Sequence, residues 1–194
     1  MSEYTCVDSF CGAGGLGLGL QQAGLDIRLS FDIDDICIKT IKENEKYFSH
    51  PALVADITDM LKGKALEICK MERGELFLLA GGPPCQGFSI QRRGSDIDSR
   101  NQLVFKYAQL VNELYPKYFV MENVTGIAGK RGKTILEQLI DELKGIGYEV
   151  HINLLDAQDY GVPQKEKEIH YRWGKNGYGC LLCISKTERR ASYR

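Results

Sequence analysis

Cys85 is the first candidate for a side chain that takes part in chemistry, because of the segment around it. Residues 81–89 read GGPPCQGFS and follow the apolar run Leu76–Ala80, which predicts a buried strand of a parallel sheet. Pro83 and Pro84 fix two successive φ angles, so this loop can hold the thiol in one direction. The alternative is a structural thiol in a tight turn.

Glu122 is the second candidate for chemistry. It follows the apolar run Tyr118–Met121, another predicted strand, and Asn123 comes directly after it. Ligands of open α/β sheets bind at the carboxyl ends of the strands, so Glu122 and Cys85 are expected at the same edge. The alternative for Glu122 is a cap of a helix or turn.

The segment Phe10–Gly19, FCGAGGLGLG, is a glycine-rich turn that follows the predicted strand Thr5–Ser9. Gly12, Gly14 and Gly17 satisfy G-x-G-x-x-G, which lets a backbone approach a nucleotide closely and start a helix beneath it. This pattern alone fits NAD, FAD and S-adenosylmethionine equally.

Asp32 ends the predicted strand Ile27–Phe31, twenty residues after Gly12. An acid at this position suits the hydroxyl groups of a ribose. Asp32 and its neighbour Asp34 can also cap and charge the helix predicted over Asp34–Asn44. The two interpretations are compatible if Asp32 faces the ligand and Asp34 forms the cap.

Asp56 follows a third predicted strand, Ala52–Ala55, at the same edge of the sheet. There its carboxylate can accept a hydrogen bond from an adenine amino group. Alternatively, Asp56 or Thr58 is the N-cap of a helix predicted over Met60–Lys70.

Predicted strands and helices alternate along the whole chain. Further helices are expected from Asn101 to about Leu114 and around Ile135–Leu143, the latter ending at Gly145 or Gly147, and a sixth strand over Tyr148–Leu155. This order predicts a doubly wound α/β sheet, Rossmann-like and mostly parallel, with right-handed crossovers.

Composition sets limits on function. The 194 residues suffice for about one domain, and a net charge of −1 gives no general attraction to nucleic acid. We expect no membrane association, because no apolar run is long enough to span a bilayer. The seven cysteines are scattered and the N-terminus resembles no export signal, so we expect reduced thiols and a cytoplasmic protein.

The ordered segments DSFCGAGG, FDID, ADIT, GGPPCQGFS, MENV and DYGVPQ resemble the motif series of the DNA cytosine-C5 methyltransferases. The resemblance covers residues 4–164. It implies methyl transfer from S-adenosylmethionine to C5 of cytosine in double-stranded DNA, in a bacterial restriction-modification setting. The target base is then flipped out of the duplex.

The resemblance also implies roles for individual residues. Cys85 corresponds to the nucleophile that adds to C6 of the base. Glu122 corresponds to the carboxyl that holds N3 and the amino group, and Asn123 to a residue that braces the cysteine loop. No metal is implied. The implied cofactor-binding residues are Phe10, Gly12, Gly14, Gly15, Asp32, Ile33, Asp56, Ile57, Pro84 and Leu103.

The resemblance breaks after Gln164. The family continues with a basic Q-x-R-x-R run and an apolar strand, whereas this chain has Glu166 and Glu168 at the two arginine positions. Reading the codons one nucleotide later can restore the family's run. We therefore predict an incomplete catalytic domain over residues 1–164 and no target-recognition domain. Residues 165–194 are predicted to be an atypical basic tail, out of frame and poorly packed, or else a genuine tail.

Three hypotheses about the whole chain stay open at this point. It is a truncated methyltransferase domain, the larger subunit of a split enzyme that needs a second polypeptide for DNA recognition, or an inactive remnant that binds only the cofactor.

Overall fold

A computed structural model describes residues 3–84, 102–124, 127, 129 and 132–163, together with the backbone of residues 167–175. The strands are β1 Thr5–Ser9, β2 Asp26–Asp32, β3 Ala52–Val54, β4 Leu78–Gly81, β5 Tyr118–Val124, β6 Tyr148–Asp156 and β7 Lys167–Lys175. The helices are α1 Gly15–Gln22, α2 Asp35–Glu43, α3 Lys64–Cys69, α4 Gln102–Leu114 and α5 Lys133–Ile146, with short 3-10 helices at Ile57–Met60 and Ala157–Tyr160.

The strands form one sheet in the order β3-β2-β1-β4-β5-β7-β6. Strands β1 to β5 are parallel, and β7 lies antiparallel between β5 and β6. The predicted doubly wound, mostly parallel α/β fold is confirmed. The order reverses direction between β1 and β4, so the edge beyond these two strands is where such sheets bind ligands.

The core lies against the central strands, since every residue of β1 and β4 is buried. Helix α4 packs on the sheet with Tyr107 fully buried. The Tyr107 hydroxyl lies 3.2 Å from the carbonyl oxygen of Leu79 and 3.0 Å from that of Val120. This side chain therefore ties α4 to two neighbouring strands. Among the described residues, no helix is both long and apolar enough to cross a membrane.

One predicted helix is wrong in extent. The segment expected to be helical over Met60–Lys70 is a 3-10 helix that ends at Met60, followed by α3 over Lys64–Cys69. Lys62 and Gly63 lie between them with φ of 58° and 79°. This left-handed backbone interrupts a right-handed helix.

Strand β5 is longer than predicted and includes Glu122 and Asn123 in its last three residues. The extension follows from β7, which pairs with β5 from Tyr118 to Val124. Helix α5 ends at Gly147, whose φ of 105° forms a left-handed C-cap.

The poor packing predicted for the tail after Gln164 concerns side chains outside the described residues and stays a prediction. The backbone of residues 167–175 forms β7 and pairs with both β5 and β6. Backbone hydrogen bonds in a sheet are open to any chain segment without proline, so pairing does not depend on the side chains that the family has here. The reading frame of the tail and the domain boundary at Gln164 stay predictions.

Candidate active site

The carboxyl ends of the parallel strands bring four predicted site residues and Gly82 to one edge of the sheet. Phe10 follows β1, Asp32 ends β2, Asp56 lies two residues after β3, Gly82 follows β4 and Glu122 lies near the end of β5. These five positions are distant in sequence, and parallel pairing of the strands is what gathers them.

The glycine-rich turn begins at once after β1. Phe10 has φ of 53° and Gly12 has φ of 51°, so both lie in the left-handed region. That conformation is uncommon for a residue with a bulky side chain, and its occurrence at Phe10 marks a strained position of the kind found in binding loops. A side chain added at Gly12 or Gly15 would meet no atom within 4 Å, so open space lies beside the turn.

Position 14 favours glycine because of packing as well as backbone conformation. Its φ is 92°, and a Cβ there would lie 2.7 Å from Cζ of Phe48. Helix α1 starts at the next residue. Gly14 therefore lets the turn pack closely on the layer beneath it.

Asp32 joins the glycine turn to the end of β2. Its Oδ2 accepts a hydrogen bond from the backbone amide of Gly12 at 2.9 Å, and its Oδ1 accepts one from the amide of Asp34 at 3.0 Å. Asp34 itself caps α2, because its Oδ1 accepts from the amide of Ile36 at 2.9 Å. Asp32 is thus no cap of α2, and each of its oxygens keeps a lone pair for a ligand.

Asp56 does form a cap. Its Oδ1 accepts from the amide of Thr58 at 2.8 Å and from the Thr58 hydroxyl at 2.7 Å. In turn, Oδ2 of Asp59 accepts from the amide of Asp56 at 3.1 Å. This capping box begins the 3-10 helix rather than the helix that the sequence predicted.

A cavity of about 280 Å³ lies among these residues. Seven of the predicted cofactor-binding residues line it: Phe10, Asp32, Ile33, Asp56, Ile57, Pro84 and Leu103. The other three predicted residues, Gly12, Gly14 and Gly15, do not line it. The wall is completed by three residues that the sequence did not single out, Phe31, Ala55 and Gly82. Ile33 is 69% exposed, an apolar side chain left open to solvent beside the cavity.

Two of the predicted catalytic residues, Glu122 and Asn123, lie in β5 at the same edge of the sheet. Asn123 is buried, and its Nδ2 donates to the carbonyl oxygen of Pro83 at 2.9 Å. Glu122 is half-buried, with Oε2 close to Gly82. Cys85 lies outside the described residues, two positions after the carbonyl that Asn123 holds.

The buried thiols elsewhere in the protein are poor nucleophiles. Burial raises the pKa of Cys6 and Cys11, and it raises the pKa of Cys69 to about 11. These side chains therefore stay protonated at neutral pH, and a protonated thiol is weakly reactive. In the described part of the chain, no group of three His, Cys, Asp or Glu side chains is placed to hold a metal ion.

Residues 4–178 match the family of C-5 cytosine-specific DNA methylases. The match includes the glycine turn, both carboxylates of the cavity and the whole of β5. The chain belongs to this family. The predicted resemblance is confirmed, and the family match runs past Gln164 into β7.

Type II methyltransferases are among the relatives of this C-5 cytosine methylase. It is 38% identical to M.XorII of Xanthomonas oryzae pv. oryzae over 180 residues, which are 91% of this chain and 42% of the relative. It is 35% identical to M.AquIA of a Picosynechococcus species, over 86% of this chain and 70% of the relative. The methylase chain thus spans about two-fifths of M.XorII and a much larger share of M.AquIA.

Solved structures agree with the fold. A DNA modification methyltransferase encoded within an E. coli prophage superposes with a TM-score of 0.76 at 31% identity, covering 89% of this chain and 47% of that one. The DNMT2 of Spodoptera frugiperda superposes with a TM-score of 0.70 at 20% identity, covering 93% of this chain and 52% of that one, which supports the fold alone.

Asp8 is a residue of the site region that sequence reasoning missed. It lies within β1 directly beneath the glycine turn, it is fully buried, and both of its carboxyl oxygens lack a hydrogen-bond partner among the described residues. Burial raises its pKa to about 7. A Cβ at Gly17 would lie 2.7 Å from Oδ2, so the carboxyl fills the space beneath that glycine. The signal in the sequence was an acid inside an otherwise uncharged strand.

Proposed function

We propose that this protein transfers a methyl group from S-adenosylmethionine to C5 of cytosine in double-stranded DNA, as part of restriction and modification. The observation that carries the proposal is the cavity at the sheet edge. It is lined by seven residues predicted to bind the cofactor, and it shares Gly82 with the space in front of Glu122. A cofactor site and a candidate base-binding carboxyl therefore adjoin.

The residues present fit S-adenosylmethionine. The Phe10 ring would stack on an adenine, the Asp32 carboxylate would accept from ribose hydroxyls, and Asp56 with Ile57 would meet the adenine edge. The open space beside Gly12 and Gly15 would take the methionine part. When bound, the sulfonium of this cofactor supplies an electrophilic methyl group.

The protein's own residues prepare the base. The Cys85 thiolate adds to C6, which makes C5 electron-rich and able to accept a methyl group. Glu122 holds N3 and the amino group of the flipped base. Asn123 holds the Pro83 carbonyl and so fixes the start of the loop that carries Cys85. Loss of the C5 proton to solvent and elimination of the thiolate then restore the aromatic ring.

The test uses the full chain with duplex DNA that contains 5-fluorocytosine. Fluorine at C5 cannot leave as a proton, so an active nucleophile stays bonded to the DNA after methyl transfer. We expect a cofactor-dependent covalent adduct with the wild-type chain and none with Cys85→Ala. An adduct that persists in Cys85→Ala excludes Cys85 as the nucleophile.

Cofactor choice is tested separately by calorimetric titration with S-adenosylmethionine and with NAD. We expect measurable binding of the first and none of the second. Stabilisation by NAD alone would instead support a dinucleotide enzyme that shares only the glycine pattern.

A second candidate is that DNA recognition comes from another polypeptide. The support is the difference in length between two relatives. The segment similar to this chain covers 70% of M.AquIA but only 42% of M.XorII. Relatives of the same family thus differ greatly in how much chain they add to this part. If adduct formation appears only when a separate chain carrying a recognition domain is added, this candidate is supported. Full activity of the chain alone contradicts it.

A further inference from the structure

Gly82 stands directly between the two halves of the candidate site. Strand β4 ends at Gly81, which pairs with Met121 of β5, so the next residue of each strand brings Gly82 beside Glu122. Gly82 also lines the cavity of the proposed cofactor. One backbone position therefore borders both the cavity and the carboxyl.

A side chain at Gly82 would occupy the place of the Glu122 carboxyl. A Cβ built there lies 2.8 Å from Oε2 of Glu122, 3.9 Å from its carbonyl oxygen and 4.0 Å from Cδ. Its three nearest atoms all belong to this one residue. A separation below about 3 Å between a methyl carbon and an oxygen is repulsive, so the carboxyl would have to move.

The backbone at Gly82 does not itself require glycine. The left-handed glycines are Gly12, Gly14, Gly24, Gly63, Gly74, Gly147 and Gly161, and Gly82 is not one of them. At Gly81, by contrast, a Cβ would collide with Ser9 and lie 2.9 Å from the ring of buried Tyr107. The neighbours at Gly81 belong to the packed core, whereas the atom nearest to Gly82 ends a flexible side chain.

We propose that Gly82 is a positioning residue, whose missing side chain leaves the space in which the Glu122 carboxyl lies beside the cofactor cavity. The role assigned to Glu122 rests on the proposed function. The steric relationship between the two residues does not. Alanine at position 82 keeps the fold and the cavity, and it displaces the carboxyl.

The first test needs no enzyme activity. The side-chain carboxyl resonance of Glu122 is recorded by carbon-13 NMR in the full chain and assigned by its loss in Glu122→Gln. We expect Gly82→Ala to shift this resonance while the remaining amide spectrum is kept. Gly145→Ala serves as the matched control, because a Cβ at Gly145 meets nothing within 4 Å and the residue is exposed on α5. An unchanged Glu122 resonance in Gly82→Ala overturns the proposal.

The second test uses adduct formation with DNA containing 5-fluorocytosine. Displacing a binding group by about 1 Å can cost about 100-fold in rate, so we expect a loss of that order in the rate of adduct formation by Gly82→Ala at saturating cofactor. Glu122→Asp already withdraws the carboxyl, so Gly82→Ala should cost at least tenfold less in the Glu122→Asp background than in the wild-type background.

The two tests separate the possible failures. A wild-type chain that forms no adduct refutes the proposed function for this chain, and the resonance shift still decides the positioning by Gly82. An active wild type in which Gly82→Ala costs as much in the Glu122→Asp background as in the wild-type background refutes positioning as the cause of the lost rate. A Gly82→Ala variant whose rate is restored by saturating cofactor refutes it too, because the added methyl then acts on the cavity and not on Glu122.

Discussion

The backbone amide of Gly12 donates a 2.9 Å hydrogen bond to Oδ2 of Asp32. This bond fastens the glycine turn after β1 to the end of β2, across the edge where the cavity opens. The other oxygen of Asp32 accepts from the amide of Asp34. One carboxylate thus fixes two backbone segments and still faces the cavity.

Asp32→Ala should lower the affinity for S-adenosylmethionine at least tenfold. The substitution removes the acceptor of two amides, and hydrogen bonds to charged groups contribute about 1.5–3 kcal/mol each. Calorimetric titration measures the loss. Asp35→Asn is the control, because Asp35 is exposed in the first turn of α2. Equal affinity in Asp32→Ala and wild type would show that Asp32 does not contribute to the site.

Asp8 should make the protein less stable as the pH rises from about 4 to about 7. An unfolded aspartate ionises near 3.8, whereas burial raises the pKa of Asp8 to about 7 in the folded protein. Between these values only the folded state holds the proton, so stability is highest at the acid end and falls toward neutral pH. The contribution is at most about 4 kcal/mol.

Asp8→Asn removes this contribution, because the amide does not ionise. The free energy of unfolding, measured with denaturant, should therefore fall less between pH 5 and pH 8 in the variant than in wild type. The contributions of all other acids are common to both proteins and largely cancel in the comparison. Parallel pH profiles would contradict the burial of an ionisable Asp8.

Asn123→Asp should destabilise the protein although the side chain keeps its shape. The amide group that donates to the Pro83 carbonyl becomes an oxygen, so two acceptors face each other at a buried position. The expected cost is about 1–3 kcal/mol, or more if the new acid stays charged. Denaturant midpoints measure it. Asn112→Asp is the control, since Asn112 is exposed beside Arg73 and a carboxylate suits that neighbour. Equal midpoints for the two variants would refute the buried bond.

Gly81→Ala should damage the fold itself. The added carbon collides with Ser9 and with the buried ring of Tyr107, and overpacking of this kind costs about 1–3 kcal/mol. For a chain of this size that corresponds to a fall in Tm of about 2–4 °C for each kcal/mol. Gly145→Ala, which meets open space, should leave Tm unchanged or slightly higher. A Gly81→Ala variant as stable as wild type would show that the core there can relax.

Much of the site followed from the sequence because of one rule of topology. Parallel strands end at a common edge, so the residues that follow Ser9, Phe31 and Met121 are expected to lie together at that edge. The residues that complete the site depend on register instead. Gly82 matters because β4 and β5 are aligned so that it adjoins Glu122, and no spacing in the chain reveals that alignment.

Other features were hidden for different reasons. Asp8 lies in a buried strand, and its carboxyl contacts Gly17 of the helix packed against that strand. The break in the helix predicted over Met60–Lys70 needed a left-handed Lys62, which local propensity does not predict. The glycine at position 63 was the available signal, since glycine inside a helical pattern often marks an end.

The position of β7 constrains the order in which the strands can pair during synthesis of the protein. Among the described strands, β6 hydrogen-bonds only to β7, which lies between it and β5 although it comes later in the chain. On the ribosome, β6 emerges before its only partner has been translated. The nascent chain can pair strands β1 to β5 first. Strand β7 must then pair with the edge of β5, and only after that can β6 join the sheet.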